Sequence, residues 1–177
     1  MDPKDRLPAA WPELDVEELL RRLTAGGVDF VVIGGIAVVL LGSARLTRDL
    51  DIVFAADKGN LIALGNVLQS LDARSRSVEE DLPFVADART LGRIQLLTLD
   101  TSSGWLDVHR TVDGAPPYER LRRNAIRMNL GDFTVLVASP EDLISMKRSA
   151  NREKDRGDVA ELEAIQRLRA GRPPAGE

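Results

Sequence analysis

Residues 30–54 read FVVIGGIAVVLLGSARLTRDLDIVF, and this stretch decides the fold of the chain. Its first four residues are apolar, mostly β-branched and bounded by glycine pairs, which predicts a short buried strand. The pair Gly34-Gly35 lets the backbone turn sharply, and residues 36–41 are apolar enough for a buried helix whose free amides favour a phosphate group. The order strand, turn, helix, loop, strand predicts an α/β domain.

The second strand of this stretch begins with two aspartates, Asp49 and Asp51. Because alternate side chains of a strand share a face, both carboxylates point one way while Leu50, Ile52 and Phe54 point into a core. Neighbouring carboxylates repel each other unless a cation lies between them, and Mg²⁺ is bound by one or two carboxylates together with substrate phosphates. A solvated aspartate pair at a strand edge is common, so it is the combination with the glycine turn that favours a site.

The glycine turn and the D-x-D strand together resemble the signature of the nucleotidyltransferase superfamily with the polymerase-β-type catalytic fold. The chain is most similar to the small prokaryotic branch of abortive-infection-type and MenT-like nucleotidyltransferase toxins. The resemblance implies an α/β (α+β) fold, with one nucleotidyltransferase domain built on a mixed β-sheet with flanking helices. It also implies an NTP substrate and two Mg²⁺ ions. One departure is the turn itself, which is often Gly-Ser in the superfamily and is Gly34-Gly35 here.

A third metal-binding carboxylate is implied by the same resemblance, on a later strand. Residues 93–99 and 105–109 predict a hairpin around the turn at 102–104, with Trp105, Asp107 and His109 on one face. Asp107 is the candidate because a charge between apolar residues in mid-strand is costly without a partner. Asp100 is the runner-up, but it lies at the predicted turn, where aspartate is common. His109 is expected at the surface or behind the ligands.

A charged segment, residues 147–158, completes the expected site. Its pattern K-x-x-A-x-R-x-K-D-x-x-D resembles a sequence pattern of the toxin-like nucleotidyltransferases. Such a run of charges is more often a solvated helix face. The resemblance implies that Lys147 contacts phosphate and that Asp155 and Asp158 orient the basic residues or help complete the site. The implied metal ligands are Asp49, Asp51 and Asp107, and the implied catalytic residues are these three with Lys147 and Asp155. The implied nucleotide-binding residues are Gly34, Gly35, Arg45, Thr47, Lys147, Arg152 and Lys154.

Composition limits the other possibilities. With 177 residues and 44% hydrophobic content, the chain is expected to form one domain with a proper core. The sequence has no cysteine and one histidine, so disulfides, thiolate chemistry and a His-rich zinc site are excluded, and oxygen must hold any metal. We expect a flexible arm over residues 1–13, the domain over 14–170, with a loop and a short strand within 72–92, and a disordered tail over 171–177. Neither a signal peptide nor a membrane span is predicted, which indicates a cytoplasmic protein.

The acceptor of the transferred nucleotide is not fixed by the sequence. The toxin-like branch implies a tRNA 3′ end and a cognate antitoxin protein, and clusters of arginine at 120–127 and 148–156 would then bind phosphates around an acidic site. The alternatives are a small-molecule enzyme of the aminoglycoside-modifying kind, an enzyme that nucleotidylates protein, and a non-catalytic nucleotide-binding regulatory module. A net charge of −4 excludes a protein that coats nucleic acid generally.

Overall fold

The structure is a computed structural model, and it describes residues 13–76 and 86–171. Within these residues the chain forms seven helices and seven strands. The helices are α1 (Val16–Ala25), α2 (Gly34–Leu40), α3 (Lys58–Ser70), α4 (Ala88–Leu91), α5 (Tyr118–Asn124), α6 (Pro140–Ala150) and α7 (Asp155–Ala170). The strands are β1 (Phe30–Ile33), β2 (Asp49–Phe54), β3 (Arg74–Ser75), β4 (Leu96–Thr101), β5 (Gly104–His109), β6 (Ile126–Asn129) and β7 (Thr134–Val137).

The strands form one mixed sheet in the order β3-β4-β5-β2-β1-β7-β6. The pairs β2–β5 and β1–β7 are parallel, and the other neighbours are antiparallel. In the central pair, Asp51 lies opposite Ile33 at the end of β1, one residue before the glycine turn. The turn, the start of β2 and the middle of β5 therefore meet at one place in the sheet.

The core is built by the alternation of the central strands. Leu50 and Ile52 of β2 are buried against the core, as are Leu106 and Val108 of β5, each with at most 1% of its surface exposed. Burial of this apolar surface stabilises the sheet and fixes its register, because a slip by one residue would turn the apolar set outward. The opposite face of β2 and β5 is thereby committed to the polar residues between them.

Local signals account for the helix ends. The side chains of Asp15, Asp57 and Ser139 each accept a hydrogen bond from a first-turn amide of α1, α3 and α6, at 2.9–3.1 Å. Pro140 follows Ser139 at the first position of α6, where its missing amide hydrogen costs nothing. At its other end α6 stops at Asn151, which takes a left-handed conformation with φ of 48°. This stop divides the charged segment 147–158 between two helices.

The predicted fold class is confirmed, and the differences lie in element bounds. The second strand of the predicted hairpin has its expected place, whereas β4 begins at Leu96 instead of residue 93 and continues to Thr101. Strand β6 was not predicted, because its sequence IRMN shows no apolar run. The region 72–92 contains β3 and α4. Residues 77–85, most of the expected arm at 1–13 and most of the expected tail at 171–177 lie outside the described residues.

Candidate active site

Three carboxylates lie together on the polar face of the sheet. In the parallel pair β2–β5, Asp51 is opposite Asp107 and Asp49 is opposite Trp105. Each of Asp49, Asp51 and Asp107 is half-buried and offers an oxygen, and these oxygens all lie within 4.8 Å of one another. The sequence therefore predicted the register of the hairpin correctly. Asp100, the alternative third carboxylate, is exposed on β4 opposite Trp105 and is not part of this group.

The two glycines of the turn leave room for side chains of the protein itself. Gly34 has a positive φ of 65°, and a Cβ atom there would collide with the carboxylate of Asp51. A Cβ atom on Gly35 would lie 2.7 Å from the Oγ1 atom of Thr47, closer than real contacts allow. The sequence interpretation explained these glycines by the approach of a ligand. The structure gives a nearer reason, since the missing side chains let Asp51 and Thr47 pack against the turn.

Two other side chains contact the acidic group: His109, which was expected at the surface or behind the ligands, and Arg76, for which the sequence suggested no role. His109 Nε2 lies 2.9 Å from the Oδ1 atom of Asp51, and the guanidinium of Arg76 donates a hydrogen bond to Asp107. Arg76 was missed because it follows a two-residue strand in a region predicted to be a loop. His109 was placed correctly on the face of Asp107, and only the register with β2 shows that it reaches Asp51.

The electrostatics of the acidic group match a site for a cation. Burial raises the pKa of Asp107 to about 6, with the charge of Arg76 opposing this rise and the charges of Asp51 and Asp49 adding to it. In the part of the chain that the structure describes, one guanidinium contacts the three carboxylates, so negative charge remains uncompensated. The ligand atoms are all hard oxygen donors, which suits Mg²⁺ or Mn²⁺ rather than a thiophilic metal. These residues therefore fit a divalent cation.

A second charged group faces the first from the helices, and here the charges compensate each other. Lys147 on α6 is 7% exposed, and its Nζ atom donates to Asp158 at 2.6 Å and to Asp155 at 3.3 Å. Arg45 binds Asp158 from the loop before β2, and Arg152 Nε donates to Asp155 at 2.8 Å. Although burial opposes its ionisation, hydrogen bonds and charge from Arg152 and Lys147 hold the pKa of Asp155 below its usual value. We call these five residues the ion-pair network.

A cavity of about 300 Å³ separates the acidic group from the ion-pair network. Its lining includes all the metal-binding, catalytic and nucleotide-binding residues that the resemblance implies, namely Gly34, Gly35, Arg45, Thr47, Asp49, Asp51, Asp107, Lys147, Arg152, Lys154 and Asp155. Asp158, which was expected to help complete the site, does not line the cavity. Lys154 is exposed at its edge. The remaining lining residues are mostly apolar and include Leu96, Val112, Leu143 and Met146. The lining thus has three parts, which are the acidic group on the sheet, a set of basic residues and a set of apolar residues. We call the basic set, Arg45, Lys147, Arg152 and Lys154, the basic wall, and the apolar set the apolar wall.

The expected ring of arginines around the site is only partly present. Arg122 pairs with Asp29, which precedes β1, whereas the acidic group lies past the other end of that strand. Arg122 therefore lies away from the acidic group, because α5 packs at the far end of β1. Arg152 and Lys154 do lie at the cavity. Within the described residues, no helix combines the length and the apolar character needed to cross a membrane.

Comparison with known proteins supports this view of the fold. Residues 13–76 match the profile of a family described as "Nucleotidyl transferase of unknown function (DUF2204)", which covers α1, the glycine turn and the D-x-D strand. The structure is similar to that of the lincosamide antibiotic adenylyltransferase LnuA with lincomycin bound, with a TM-score of 0.57 and 22% identity. That similarity covers 86% of this chain and 99% of the other.

Two further solved structures share the fold. ANT(2″)-Ia in complex with adenylyl-2″-tobramycin has a TM-score of 0.54 at 16% identity, over 88% of this chain and 92% of that one. An antigenic nucleotidyltransferase-like protein from Paracoccidioides brasiliensis has a TM-score of 0.51 at 18% identity, over 89% of this chain and 78% of that one. No curated protein sequence matches the chain significantly. The profile match covers residues 13–76 alone, and the likeness to these solved structures is a likeness of fold.

Proposed function

We propose that this protein is a metal-dependent nucleotidyltransferase that moves an NMP group from an NTP to an acceptor hydroxyl and releases pyrophosphate. The observation that carries the proposal is the acidic group, in which two paired strands bring Asp49, Asp51 and Asp107 together beside the glycine turn. Carboxylates so placed repel one another, and a site that keeps this repulsion is explained by a bound cation.

In the proposed reaction the acceptor oxygen bonds to the α-phosphorus of the NTP, and the bond from that phosphorus to the bridging oxygen of the β-phosphate breaks. Asp49, Asp51 and Asp107 would hold two Mg²⁺ ions, which supply charge neutralisation for the triphosphate and activation of the hydroxyl. Asp107 is the carboxylate suited to take the proton of the hydroxyl, because its raised pKa makes it the stronger base.

The basic wall would bind the triphosphate. Arg45, Arg152 and Lys154 line the same cavity as the acidic group, together with Gly34, Gly35 and Thr47. Lys147 is also proposed to take part, but its Nζ atom is held by Asp155 and Asp158, so it would act by placing the other cations. Asp155 belongs to the proposed catalytic set for the same reason, because it fixes both Lys147 and Arg152.

For the acceptor we propose a small hydroxyl-bearing molecule. The apolar wall offers Leu96 and Val112 to such a ligand, with the nearly buried Leu143 and Met146 behind them, and a cavity of this size suits it. Two proteins of similar fold have structures with small molecules bound, lincomycin in one and adenylyl-2″-tobramycin in the other. A strongly cationic aminoglycoside fits less well. Among the described lining residues, Asp155 is the one carboxylate outside the acidic group, and it already pairs with Lys147 and Arg152.

An RNA 3′ end, with a tRNA as substrate and an antitoxin as partner, is the second candidate. One observation favours it. A shallow hollow of about 230 Å³ beyond the cavity is lined by Arg148, Arg152 and Arg156, and it shares Lys147, Arg152 and Asp155 with the cavity. Basic residues that continue outward from a site can hold successive phosphates of a strand.

The experiment that tests the proposal follows the label from each α-³²P-NTP with Mg²⁺ present. Parallel reactions contain a lincosamide and aminoglycoside panel, total RNA, a protein extract or no acceptor, and pyrophosphate release is measured in each. We expect label on a small molecule. Label on RNA alone would show that the acceptor is RNA and not a small molecule, and the proposed nucleotidyl transfer would still hold. Nucleotide binding without pyrophosphate release under any condition would instead indicate a regulatory module.

A further inference from the structure

Arg76 is fixed beside the acidic group by the sheet. Its backbone amide donates to the carbonyl of Thr98 at 2.9 Å, so the pairing of β3 with β4 continues to this residue. Thr98 in turn lies opposite Asp107 in the antiparallel pair β4–β5. Residues opposite one another in a sheet share a face, and the side chain of Arg76 therefore extends over β4 toward the carboxylate of Asp107.

The guanidinium of Arg76 is held from two sides. It lies over the ring of Trp105, with its central carbon 4.4 Å from the ring centroid, and it donates to the Oδ1 atom of Asp107. The two side chains of the pair are 23% and 14% exposed. Its Nε atom is buried and has no hydrogen-bond partner within the described residues. The side chain thus keeps its contact with Asp107 even though one of its own donors stays unsatisfied.

Charge shows what this contact does to the site. The three carboxylates lie within 4.8 Å of one another, and Arg76 contacts one of them directly. With Arg76, the acidic group keeps two of its three negative charges, which a single divalent cation neutralises. A second divalent cation would meet the nearby guanidinium, and like charges a few ångströms apart in a half-buried site repel strongly.

We propose that Arg76 is a positioning residue that directs the carboxylate of Asp107 toward Asp49 and Asp51 and serves as a built-in cation there. It thereby lowers the affinity of the nucleotide-free site for divalent ions. The triphosphate of an NTP adds the negative charge that a second ion needs. This inference deepens the proposed function, because it depends on the acidic group being a metal site.

The test is a Mn²⁺ titration of the purified, nucleotide-free protein, in which the electron paramagnetic resonance signal reports the free ion. Arg76→Met removes the charge and keeps an apolar side chain against Trp105, and we expect Mn²⁺ to bind roughly fivefold more tightly or better. Arg76→Lys keeps the charge and should stay within about twofold of the unmodified protein. Arg74→Met is the matched control, because Arg74 is exposed on β3, two residues before Arg76, and its change should leave Mn²⁺ affinity unaltered.

A transfer assay with saturating Mg²⁺ and NTP completes the test. If Arg76 orients Asp107, Arg76→Met lowers the turnover rate although the metal binds more tightly. A purely structural role predicts the opposite metal result, with weaker Mn²⁺ binding and a lower melting temperature in both Arg76 variants. Unchanged or weaker Mn²⁺ binding by Arg76→Met overturns the inference and leaves the proposed function standing. If the unmodified protein binds no Mn²⁺ with or without NTP, both are overturned.

Discussion

The two charged parts of the cavity lining differ in how far their charges are compensated. On the sheet, Asp49, Asp51 and Asp107 lie within 4.8 Å of one another, with one guanidinium as compensation. On the helices, the ion-pair network joins three cations to two buried aspartates, so each carboxylate there has two cationic partners. A buried carboxylate depends on its cationic partners, because the loss of one partner is costly to the fold. Carboxylates without such partners repel one another unless a cation binds between them. The acidic group is therefore the part of the site whose charges are suited to a bound cation.

This contrast predicts that changes in the acidic group affect function and not stability. Asp51→Asn should lower nucleotidyl transfer at least roughly 1000-fold, because it removes a metal ligand. The melting temperature of the metal-free protein should stay the same or rise, since one source of repulsion is gone. Transfer assays and thermal melts of the same preparation measure both.

Asp100→Asn provides the matched control for that change. Asp100 is an exposed aspartate on β4, outside the acidic group, so its variant should transfer at the normal rate. If Asp51→Asn retained full activity, or if it melted well below the unmodified protein, the acidic group would belong to the structural class of charges.

The ion-pair network should behave in the reverse manner. Lys147→Met leaves Asp155 and Asp158 buried with one fewer cation, and removing one partner of a buried ion pair costs about 3 kcal/mol of unfolding free energy. Urea unfolding monitored by tryptophan fluorescence measures this loss. Arg148→Met, next to it on α6, removes an arginine whose side chain is 64% exposed and pairs with Glu163 at the surface. That variant should lose less than about 1 kcal/mol of unfolding free energy. Equal losses in the two variants would mean that the buried network is no more important for stability than the surface pair.

The same contrast explains what the sequence could and could not predict. The acidic group could be predicted from two features. The first is strand alternation, which the order of Leu50, Asp51 and Ile52 indicates directly, and the second is the register of one hairpin. The arrangement of the ion-pair network depends on the turn between α6 and α7 and on a loop residue, Arg45, that reaches α7. Such contacts between distant segments have no periodic signal in the sequence. The resemblance supplied the residues of this wall, but not that Lys147 is buried between two aspartates.

Arg76 and Arg122 show the same limit from two directions. Arg76 reaches the site across a strand from a segment with no clear secondary-structure signal, so the sequence could not suggest it. Arg122 belongs to a cluster that looked like a nucleic-acid contact, but it pairs with Asp29 because α5 packs at the far end of β1. Charge composition indicates that arginines are available, and only the topology decides which of them face the site.

Within the basic wall, the contrast can be sharpened by a residue outside the ion-pair network. Lys154 lines the cavity and has no ion-pair partner within the described part of the chain. If it binds the triphosphate, Lys154→Ala should raise the KM for the NTP about tenfold, as expected for the loss of one charge-assisted hydrogen bond, with little change in stability. Arg156→Ala is the control, since Arg156 is exposed and does not line the main cavity. Equal KM values for the two variants would contradict a direct phosphate contact by Lys154.

The smallest effect concerns pH, and it follows from the incomplete compensation of the acidic group. Burial and the neighbouring carboxylates raise the pKa of Asp107 to about 6, against the opposing charge of Arg76. Because the folded pKa lies above the usual value of 3.8, the fold favours the protonated form. The contribution of Asp107 to the stability of the metal-free protein is therefore complete below the usual pKa and is lost as pH rises toward about 6.

A proton and a divalent ion compete for the same carboxylate, so Mn²⁺ affinity should fall about twofold between pH 8 and pH 6 and further below that. Mn²⁺ titrations across this range measure the slope, and Asp107→Asn should flatten it. A slope that persists in Asp107→Asn would mean that the competing proton binds elsewhere, and Asp107 would not be the carboxylate that the cation needs.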